Sequence, residues 1–431
     1  MSRNKKITDN SVLKIKLWGE QLGYLYWDNK QNAAVFEYDP EFIKNGIDPA
    51  PLTMSVKSER SVKGIPWVGN KEKPYQGLPP MIADSLPDKW GDAVFAKWMK
   101  DNKVKSGNIT PVDRLAYIGS RGMGALEFEP AHLEKEKSEN IDIQELYILA
   151  KKILTQREEV ILNEQESQLS RNFVKLGTSA GGRRPKAIIA INRNTGEVRS
   201  GQVDAPEGFE HYIIKFDEAN GFPSAKIEYS YYQMAKEAGI QMTDCLIKET
   251  LNESHFLTKR FDRNGNEKIH IQTLAAINPF CDSYEDIFTT MRKLKLPYTD
   301  MEQMFRRMVF NVFSRNIDDH TKNFSFMMDK TGRWKLAPAY DLTFTIDLSG
   351  PSYQNKQTLF INGKNDDISE KDLLIVGKEN EINNPGKIIP EVKNAVKKFS
   401  SISKQNNVPD EWRNKIWKEI SKQLNKTEKT E

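Results

Sequence analysis

The sequence predicts an α+β protein in which short strands give way to helices along the chain. From Val12 to about Phe128, apolar runs such as VLKIKLWG and AAVFEY alternate with Gly, Pro and Asn, a pattern typical of small antiparallel strands. Isoleucine-rich runs at 187–192 and 212–216 predict further strands. Beyond Ala276 the apolar residues keep mostly helical spacing. This order indicates a two-lobed protein whose carboxyl-terminal lobe is mostly helical.

The chain has 431 residues, which exceeds the usual size of one hydrophobic core, so we expect several domains. The stretch 131–145 is polar and charged and predicts a boundary. We therefore expect a β-rich subdomain over 1–130, a second strand-containing domain over 131–276 and a helical domain over 277–431.

The composition is typical of a globular protein and disfavours membrane-spanning and disulfide-rich classes. The 38% hydrophobic and 29% charged fractions are ordinary for a globular enzyme, and no apolar run approaches the ~20 residues of a membrane span. Two cysteines and five histidines disfavour a disulfide framework or a cysteine- or histidine-rich metal cluster. We expect a cytoplasmic protein.

Charge is nearly balanced, with 64 basic and 60 acidic residues, so the total alone does not indicate nucleic-acid binding. The segment from Lys387 to Lys426 is more basic, with ten Lys or Arg against four Asp or Glu. It could contact phosphates or an acidic partner, and a solvated helix face explains it at least as well.

Two stretches predict individual helices. In IADSLPDKWGDAVFAKWMK, Asp84 or Ser85 is the expected N-cap of a helix with Trp90 and Val94 on one face. From Ile227 the apolar residues recur at helical spacing, and Gly239 is the expected end of that helix.

The first candidate for chemistry is GTSAGGRRPKA at 177–187, directly before a predicted strand. Its glycines would let backbone N–H groups approach phosphate oxygens, and Arg183, Arg184 and Lys186 add positive charge. It is not a Walker A sequence. A flexible basic hairpin loop is an equally good interpretation.

Lys215 in YIIKF is the second candidate. In a strand its side chain points away from those of Ile214 and Phe216, so it can face a cleft while they fill the core. Kinases use such a lysine to hold nucleotide phosphates and pair it with a helix glutamate, here Glu228. Taken alone, an ordinary snorkelling lysine is the better explanation.

The third candidate is NIDDHTKNFSFMMDKTGRWKLAPAYDL at 316–342. Asp318 and Asn323 have the D-x-x-x-x-N spacing of the kinase catalytic loop, and Asp341 follows after two predicted strands. Carboxylate and amide oxygens are ligands that Mg²⁺ prefers. We interpret His320 as a hydrogen-bonding or core residue. An exposed turn would explain Asp318 and Asp319 separately, but the order of all three candidates favours phosphoryl transfer.

The motifs together resemble the HipA family of serine/threonine-kinase toxins from bacterial toxin–antitoxin systems. The matching pieces run from residue 77 to residue 342 and are GLPPMIADSLPDKWG, DRLAYIGSRGMGALEFEP, GTSAGGRRPKA, YIIKF, KRFDR, DDHTKNFSF and LAPAYDL. The resemblance implies a two-lobed, protein-kinase-like fold with an N-terminal β-rich subdomain.

The resemblance also implies residue roles. Asp318 would be the catalytic aspartate, with Lys322 stabilising the transferred phosphoryl group, and Asn323 and Asp341 would hold magnesium. Lys215 would bind the phosphates of ATP. The adenine-contacting hinge would fall on Lys259 to Phe261, although better-known members have a glutamate where Lys259 stands. The loop over the phosphates would consist of Gly177, Thr178, Ser179, Ala180, Gly181 and Gly182. Autophosphorylation would fall on Ser179, Thr178 or Ser170.

By the same resemblance, the chain is expected to be an ATP- and Mg²⁺-dependent protein serine/threonine kinase that acts as a toxin. Its substrate would be a cytosolic translation protein such as an aminoacyl-tRNA synthetase, with growth arrest and persistence as the outcome. Its partner would be a helix-turn-helix antitoxin that binds operator DNA, with the N-terminal subdomain as the docking region.

Two alternatives remain open at this point. One is a catalytically silent co-repressor that binds the antitoxin on operator DNA, supported by the basic carboxyl-terminal segment. The other keeps phosphoryl transfer but has a small-molecule acceptor.

Overall fold

The structure is a computed structural model that describes residues 12–72, 74–101, 109–131, 139–155, 184–217, 221–250, 253–351 and 354–426. The chain divides into two compact units. The first unit comprises Met1–Phe216, Lys259–Gln272 and Met327–Arg333, and the second comprises Asp217–Thr258, Thr273–Phe326 and Trp334–Glu431. The expected division into three domains at residues 131 and 277 stays a prediction.

The first unit begins with a five-stranded sheet. Its strands are β1 (Leu13–Leu17), β2 (Glu20–Asp28), β3 (Ala33–Tyr38), β4 (Trp67–Val68) and β5 (Leu126–Glu129). They lie in the order β4-β3-β2-β1-β5, and the successive pairs β1/β2, β2/β3, β3/β4 and β1/β5 are antiparallel. Along β1 the leucines and isoleucine are buried while the lysines between them are not, as the period of a half-buried strand requires. The expected amino-terminal strands are confirmed.

The helices of the first unit are α1 (Pro40–Lys44), α2 (Glu59–Val62), α3 (Pro80–Ala83), α4 (Lys89–Asp101), α5 (Pro111–Ile118) and α6 (Ile143–Thr155). The expected N-cap of the tryptophan-bearing helix was wrong, because the chain makes α3 first and restarts at Lys89. Pro87 lies between the two helices and lacks the N–H that a continuous helix needs. Asp88 Oδ1 instead accepts a hydrogen bond of 2.6 Å from Gly91 N.

A second antiparallel sheet in the first unit contains β6 (Lys186–Ile191), β7 (Val198–Ser200) and β8 (Glu210–Lys215). Lys186 begins β6 and is 2% exposed. Its ammonium lies 2.9 Å from Asp88 Oδ2, and its carbonyl accepts from Trp90 Nε1 at 2.9 Å. These contacts join α4 to the sheet and neutralise a lysine that would be costly to bury alone. Farther along, β11 (Arg263–Asn264) and β12 (Glu267–Lys268) form a short hairpin.

Three more strands lie close in sequence to the boundaries at which the chain leaves one unit and enters the other. They are β13 (His270–Thr273), β14 (Ser325–Met328) and β15 (Trp334–Leu336). A turn separates β14 from β15, and in it Asp329 N donates to the carbonyl of Arg333 at 3.1 Å. The strand, turn and strand predicted before Asp341 are confirmed.

In the second unit, β9 (Cys245–Glu249) and β10 (Ser254–Lys259) pair in antiparallel fashion. Its helices are α7 (Ser224–Glu237), α8 (Leu274–Ile277), α9 (Tyr284–Lys293), α10 (Tyr298–Ser314), α11 (Glu370–Glu379), α12 (Pro385–Lys397), α13 (Phe399–Gln405) and α14 (Asp410–Lys426). Gly239 follows α7 with φ of +71°, a left-handed conformation that glycine adopts readily, as expected of the end of this helix. Among the described residues, no helix has both the length and the apolar character needed to cross a bilayer.

Helix α10 supplies much of the core of the second unit. Phe305, Phe310 and Phe313 are fully buried along it. The ring of Phe310 meets that of Tyr231 on α7 edge to face, with centroids 6.1 Å apart. Tyr231 also donates from Oη to the carbonyl of Ser314 at 2.5 Å. The carboxyl-terminal end of α10 is therefore fixed by aromatic packing and a buried hydrogen bond.

Replacing Phe310 by Ala is expected to destabilise the chain by about 3–5 kcal/mol, because the change leaves a cavity in this core. The matched control is Phe280→Ala, since Phe280 is 89% exposed, and it should shift stability by about 0.5 kcal/mol or less. Denaturant unfolding of both variants checks the prediction, and equal losses would contradict it.

Candidate active site

The D-x-x-x-x-N motif lies in the loop that leaves α10. Arg315 ends the helix in the left-handed conformation, with φ of 61°, and its N–H donates to the carbonyl of Asn311. Residues 316–320 then form an irregular segment, Thr321–Asn323 form one 3-10 turn, and β14 follows. We call residues 316–323 the DN loop. It is irregular, so its shape depends on contacts made by other parts of the chain.

Two threonines from farther along the chain hold the backbone of the DN loop. Thr345 Oγ1 accepts from the N–H groups of Ile317 and Asp318 at 2.7 and 3.2 Å. On the other side, Thr358 donates from its N–H and its hydroxyl to the carbonyl of Ile317, at 3.1 and 3.0 Å. The backbone immediately before and at Asp318 is therefore fixed on both sides by residues that follow Asp341.

The adjacent aspartates of the loop have opposite environments. The side chain of Asp318 is 60% exposed, whereas Asp319 is only 1% exposed. Burial raises the pKa of Asp319 to about 6, although the hydrogen bonds from Tyr284 and from backbone N–H groups favour its ionised form. Asp318 presents its carboxylate to solvent, and Asp319 directs its own into the protein. The spacing to Asn323 singled out Asp318, but no sequence pattern indicated that Asp319 would be buried.

Asn323 has an orientation suited to holding a cation. Its Nδ2 donates to the carbonyl of Asp318 at 2.7 Å, so Oδ1 is the side-chain atom left to accept or to ligate a cation. The same bond ties the first and last parts of the DN loop together. The side chain of His320 is 42% exposed, so the expected core position was wrong, and its Nε2 lies 3.8 Å from Asp318 Oδ1, too far for a hydrogen bond.

Asp341 is tied to the DN loop through the preceding residue, Tyr340. Tyr340 Oη donates to the carbonyl of Lys322 at 2.8 Å and lies 2.6 Å from Ser325 Oγ. Asp341 itself has φ of 54°, a left-handed conformation that non-glycine residues seldom adopt and that is more frequent at functional sites. Asp318, Lys322, Asn323 and Asp341 thus occupy two segments joined by the Tyr340 hydroxyl. The carboxylate of Asp341 and the amide oxygen of Asn323 are ligand types that fit Mg²⁺.

The other predicted site residues lie in the first unit. Lys215 is half-buried at the end of β8, between the fully buried side chains of Ile214 and Phe216, as the strand alternation predicted. Lys259 ends β10 and forms an ion pair with Glu210 of β8. Because the ammonium of Lys259 donates to the Glu210 carboxylate, the pKa of Glu210 lies below its ordinary value. Both residues belong to the first unit. Gly177 to Gly182, Ser170 and Arg183 lie outside the described residues.

The KRFDR motif, residues 259–263, begins at the last residue of β10 and turns at Phe261. Asp262 is fully buried and accepts hydrogen bonds from Arg260, Arg263 and the N–H of Gly124. Burial opposes its charge, but the two guanidinium groups hold the pKa of Asp262 well below its ordinary value. The motif is therefore a buried ion cluster that fixes the turn containing Phe261.

Comparison with known families covers most of the chain. Residues 178–426, more than half of the sequence, match the family of HipA-like C-terminal domains. The chain belongs to the HipA family. Residues 13–129 match the HipA N-terminal domain, so the family resemblance seen in the motifs is confirmed at both ends.

A solved structure supports the same fold. The Shewanella oneidensis MR-1 HipA, from a toxin–antitoxin system solved with HipB and operator DNA, aligns with a TM-score of 0.65 over 96% of this chain and 95% of that chain. Sequence identity is 17%, so the likeness shows the fold alone. The expected HipA-like α+β fold is confirmed.

Two curated relatives are similar over shorter regions. A Haemophilus influenzae protein named "Putative kinase" is 26% identical over 185 residues, which is 38% of this chain and 52% of that protein. A Sinorhizobium fredii protein named "Putative kinase Y4mE" is 34% identical over 91 residues, 21% of each chain. The chain thus spans about half the length of the first relative and a fifth of the second.

Replacing Thr345 by Val is expected to loosen the DN loop, because it removes the shared acceptor of two backbone N–H groups at nearly constant volume. We expect amide hydrogen exchange at Ile317 and Asp318 to accelerate about tenfold, the equivalent of one or two lost hydrogen bonds.

Thr343→Val is the matched control for this experiment. The hydroxyl of Thr343 is buried, and the described part of the chain offers it no hydrogen-bond partner, so its removal should not speed exchange in the DN loop. Unchanged exchange in Thr345→Val would show that its hydroxyl does not hold the loop.

Proposed function

We propose that this HipA-family chain is an ATP- and Mg²⁺-dependent protein serine/threonine kinase. The observation that carries the proposal is the DN loop, in which Asp318 faces solvent on a fixed backbone and Asn323 is tied to the carbonyl of Asp318 through its amide nitrogen. Asp341 is tied to the same loop through Tyr340. Low-identity relatives named as kinases and the family match support the same activity.

Asp318 accepts the proton of the substrate hydroxyl as the phosphoryl group transfers in line. Its exposure suits this role, because an acceptor side chain of another protein must reach it. Lys322, also exposed, stabilises negative charge on the transferred group. Lys215 binds nucleotide phosphates, and the glycine-rich residues 177–182, which lie outside the described residues, are the second candidate for phosphate binding.

Asn323 and Asp341 would hold Mg²⁺, which supplies positive charge against the phosphate oxygens. The backbone from Lys259 to Phe261 contacts adenine. The side chain of Lys259 is paired with Glu210 and does not replace the glutamate of better-known members. Ser179, Thr178 and Ser170 are the candidates for autophosphorylation.

We further propose that the chain is the toxin of a toxin–antitoxin pair. Its partner is a HipB-like helix-turn-helix antitoxin that brings the complex to operator DNA, by analogy with the Shewanella assembly. Its substrate is a cytosolic protein of translation, for which an aminoacyl-tRNA synthetase is the first to test, and the outcome is growth arrest and persistence.

The ion pairs of the carboxyl-terminal helices weaken the case for a silent DNA-bound co-repressor. Six of the ten basic side chains between residues 387 and 426 pair with carboxylates within the second unit. Those six side chains are Lys393, Lys398, Arg413, Lys415, Lys422 and Lys426. Most of the positive charge that suggested DNA contact is therefore neutralised locally.

Asp318→Asn is expected to abolish phosphoryl transfer while keeping the fold, since the amide cannot accept the proton. A loss of roughly 10²–10⁴-fold is typical for a general base. The measurement is intact-mass spectrometry of wild type and variant, each treated with phosphatase and then incubated with ATP and Mg²⁺.

A phosphate gained only by the wild type supports the proposal, and peptide mapping then identifies the modified hydroxyl. Equal phosphorylation of the variant would remove Asp318 from the mechanism. A wild type that neither binds ATP nor phosphorylates itself or any lysate protein would overturn the kinase assignment.

A further inference from the structure

The buried carboxylate of Asp319 has no part in the proposed transfer, yet it is the most heavily hydrogen-bonded group of the DN loop. Its Oδ1 accepts from the N–H groups of Thr358 and Leu359 at 2.7 and 3.4 Å. Its Oδ2 accepts from Tyr284 Oη and from Gln357 Nε2, each at 2.9 Å. A carboxylate that is 1% exposed is therefore surrounded by four donors.

Three of the four donors come from one short segment, residues 357–359, which follows Asp341 in the chain. The same segment donates to the carbonyl of Ile317 through Thr358. Gln357 Nε2 also lies 3.4 Å from the carbonyl of Asn316. The DN loop and segment 357–359 are thus joined along residues 316–319, and Asp319 supplies the charged acceptors of that junction.

The fourth donor, Tyr284, is itself oriented by a second layer of hydrogen bonds. Asn311 Nδ2 donates to Tyr284 Oη at 3.0 Å, so the hydroxyl proton of Tyr284 is directed to Asp319. Asn316 Nδ2 in turn donates to Asn311 Oδ1 at 2.9 Å. The network runs from the last turn of α10 through α9 to the DN loop, and its members are buried.

Within the described part of the chain, the side chain of Asp318 has no such support. Its carboxylate is exposed, and His320 is beyond hydrogen-bonding distance. The direction in which Asp318 points is therefore set by the backbone on which it stands. That backbone is fixed by Thr345 before it and by the buried contacts of Asp319 after it.

We propose that Asp319 is a positioning residue, which locks the DN loop to segment 357–359 and to Tyr284 and so holds Asp318 in the orientation needed for transfer. This inference rests on the proposed kinase function. The inference gives a structural role to the Asp319 carboxylate, whose burial would be unfavourable without these hydrogen bonds.

The network predicts how different substitutions will behave. Asn at position 319 keeps one oxygen for the N–H groups of Thr358 and Leu359. Its amide nitrogen would face Gln357, whose Oε1 has no partner among the described residues and can turn to accept from it. Ala at position 319 removes every acceptor. Asp319→Asn should therefore rescue part of what Asp319→Ala loses.

The matched control is Asp372→Asn. Asp372 is also buried, at 3% exposure, and accepts from Ser369, Asn362 and Lys364, none of which belongs to the DN loop. This variant reports the effect of altering a buried, hydrogen-bonded aspartate in the same unit without touching the junction.

The experiment measures single-turnover transfer from γ-labelled ATP to the full-length chain, the KM for ATP, and hydrogen exchange of peptides covering 316–323 and 357–360. Asp319→Ala should transfer about 10²-fold more slowly, as expected for a misplaced catalytic group, with KM changed by about threefold or less. Asp319→Asn should fall between Ala and wild type. Both peptides should exchange faster in Asp319→Ala and at the wild-type rate in Asp372→Asn.

Three results would overturn the inference. They are an unchanged transfer rate in Asp319→Ala, a loss matched by Asp372→Asn, or exchange that rises uniformly across the chain. If the wild type neither binds ATP nor transfers phosphate to itself or to any lysate protein, the kinase function fails. The exchange data then decide separately whether Asp319 locks the loop.

Discussion

A carboxylate removed from water must be surrounded by hydrogen-bond donors, and the organisation of the DN loop follows from meeting this requirement at Asp319. The donors come from α9 and from segment 357–359, so these elements must meet the loop in one arrangement. Because segment 357–359 also bonds to Ile317, the backbone before Asp318 is fixed by the same contact. We infer that the orientation of the exposed Asp318 is fixed because the carboxylate of its buried neighbour, Asp319, is fully hydrogen-bonded.

The first unit meets the same requirement with ions rather than neutral donors. Asp262 is enclosed by Arg260, Arg263 and the N–H of Gly124, and its charge is stabilised enough to lower its pKa. In the DN loop the donors are neutral and burial raises the pKa of Asp319 instead. In both places the hydrogen bonds of a buried aspartate fix an irregular turn, which lacks the repeating backbone hydrogen bonds of a helix or a strand. These turns carry the residues to which the family resemblance assigns chemistry.

Membership of the HipA family sets the fold, and the fold alone does not set the activity. The case for a kinase rests on the exposed carboxylate of Asp318, on Asn323 bonded through its amide nitrogen to the carbonyl of Asp318, and on Asp341 tied to the same loop by Tyr340. The pairing of Lys259 with Glu210 joins the end of β10 to β8. Most basic side chains of the last helices are paired locally, which weakens the argument that this segment contacts DNA.

The sequence by itself determined the strands and helices, because apolar periodicity reports which face of an element is buried, and it determined the Asp318–Asn323–Asp341 spacing. It did not determine where the tryptophan-bearing helix begins, since Pro87 and the cap at Asp88 act together. Only the tertiary structure showed that Asp319 is buried while Asp318 is exposed, because adjacent residues in an irregular loop have no periodicity that reports burial. It alone paired Lys259 with Glu210 and Asp319 with Gln357, since these contacts join residues 49 and 38 positions apart. Such contacts depend on how distant segments pack, which local sequence patterns do not encode.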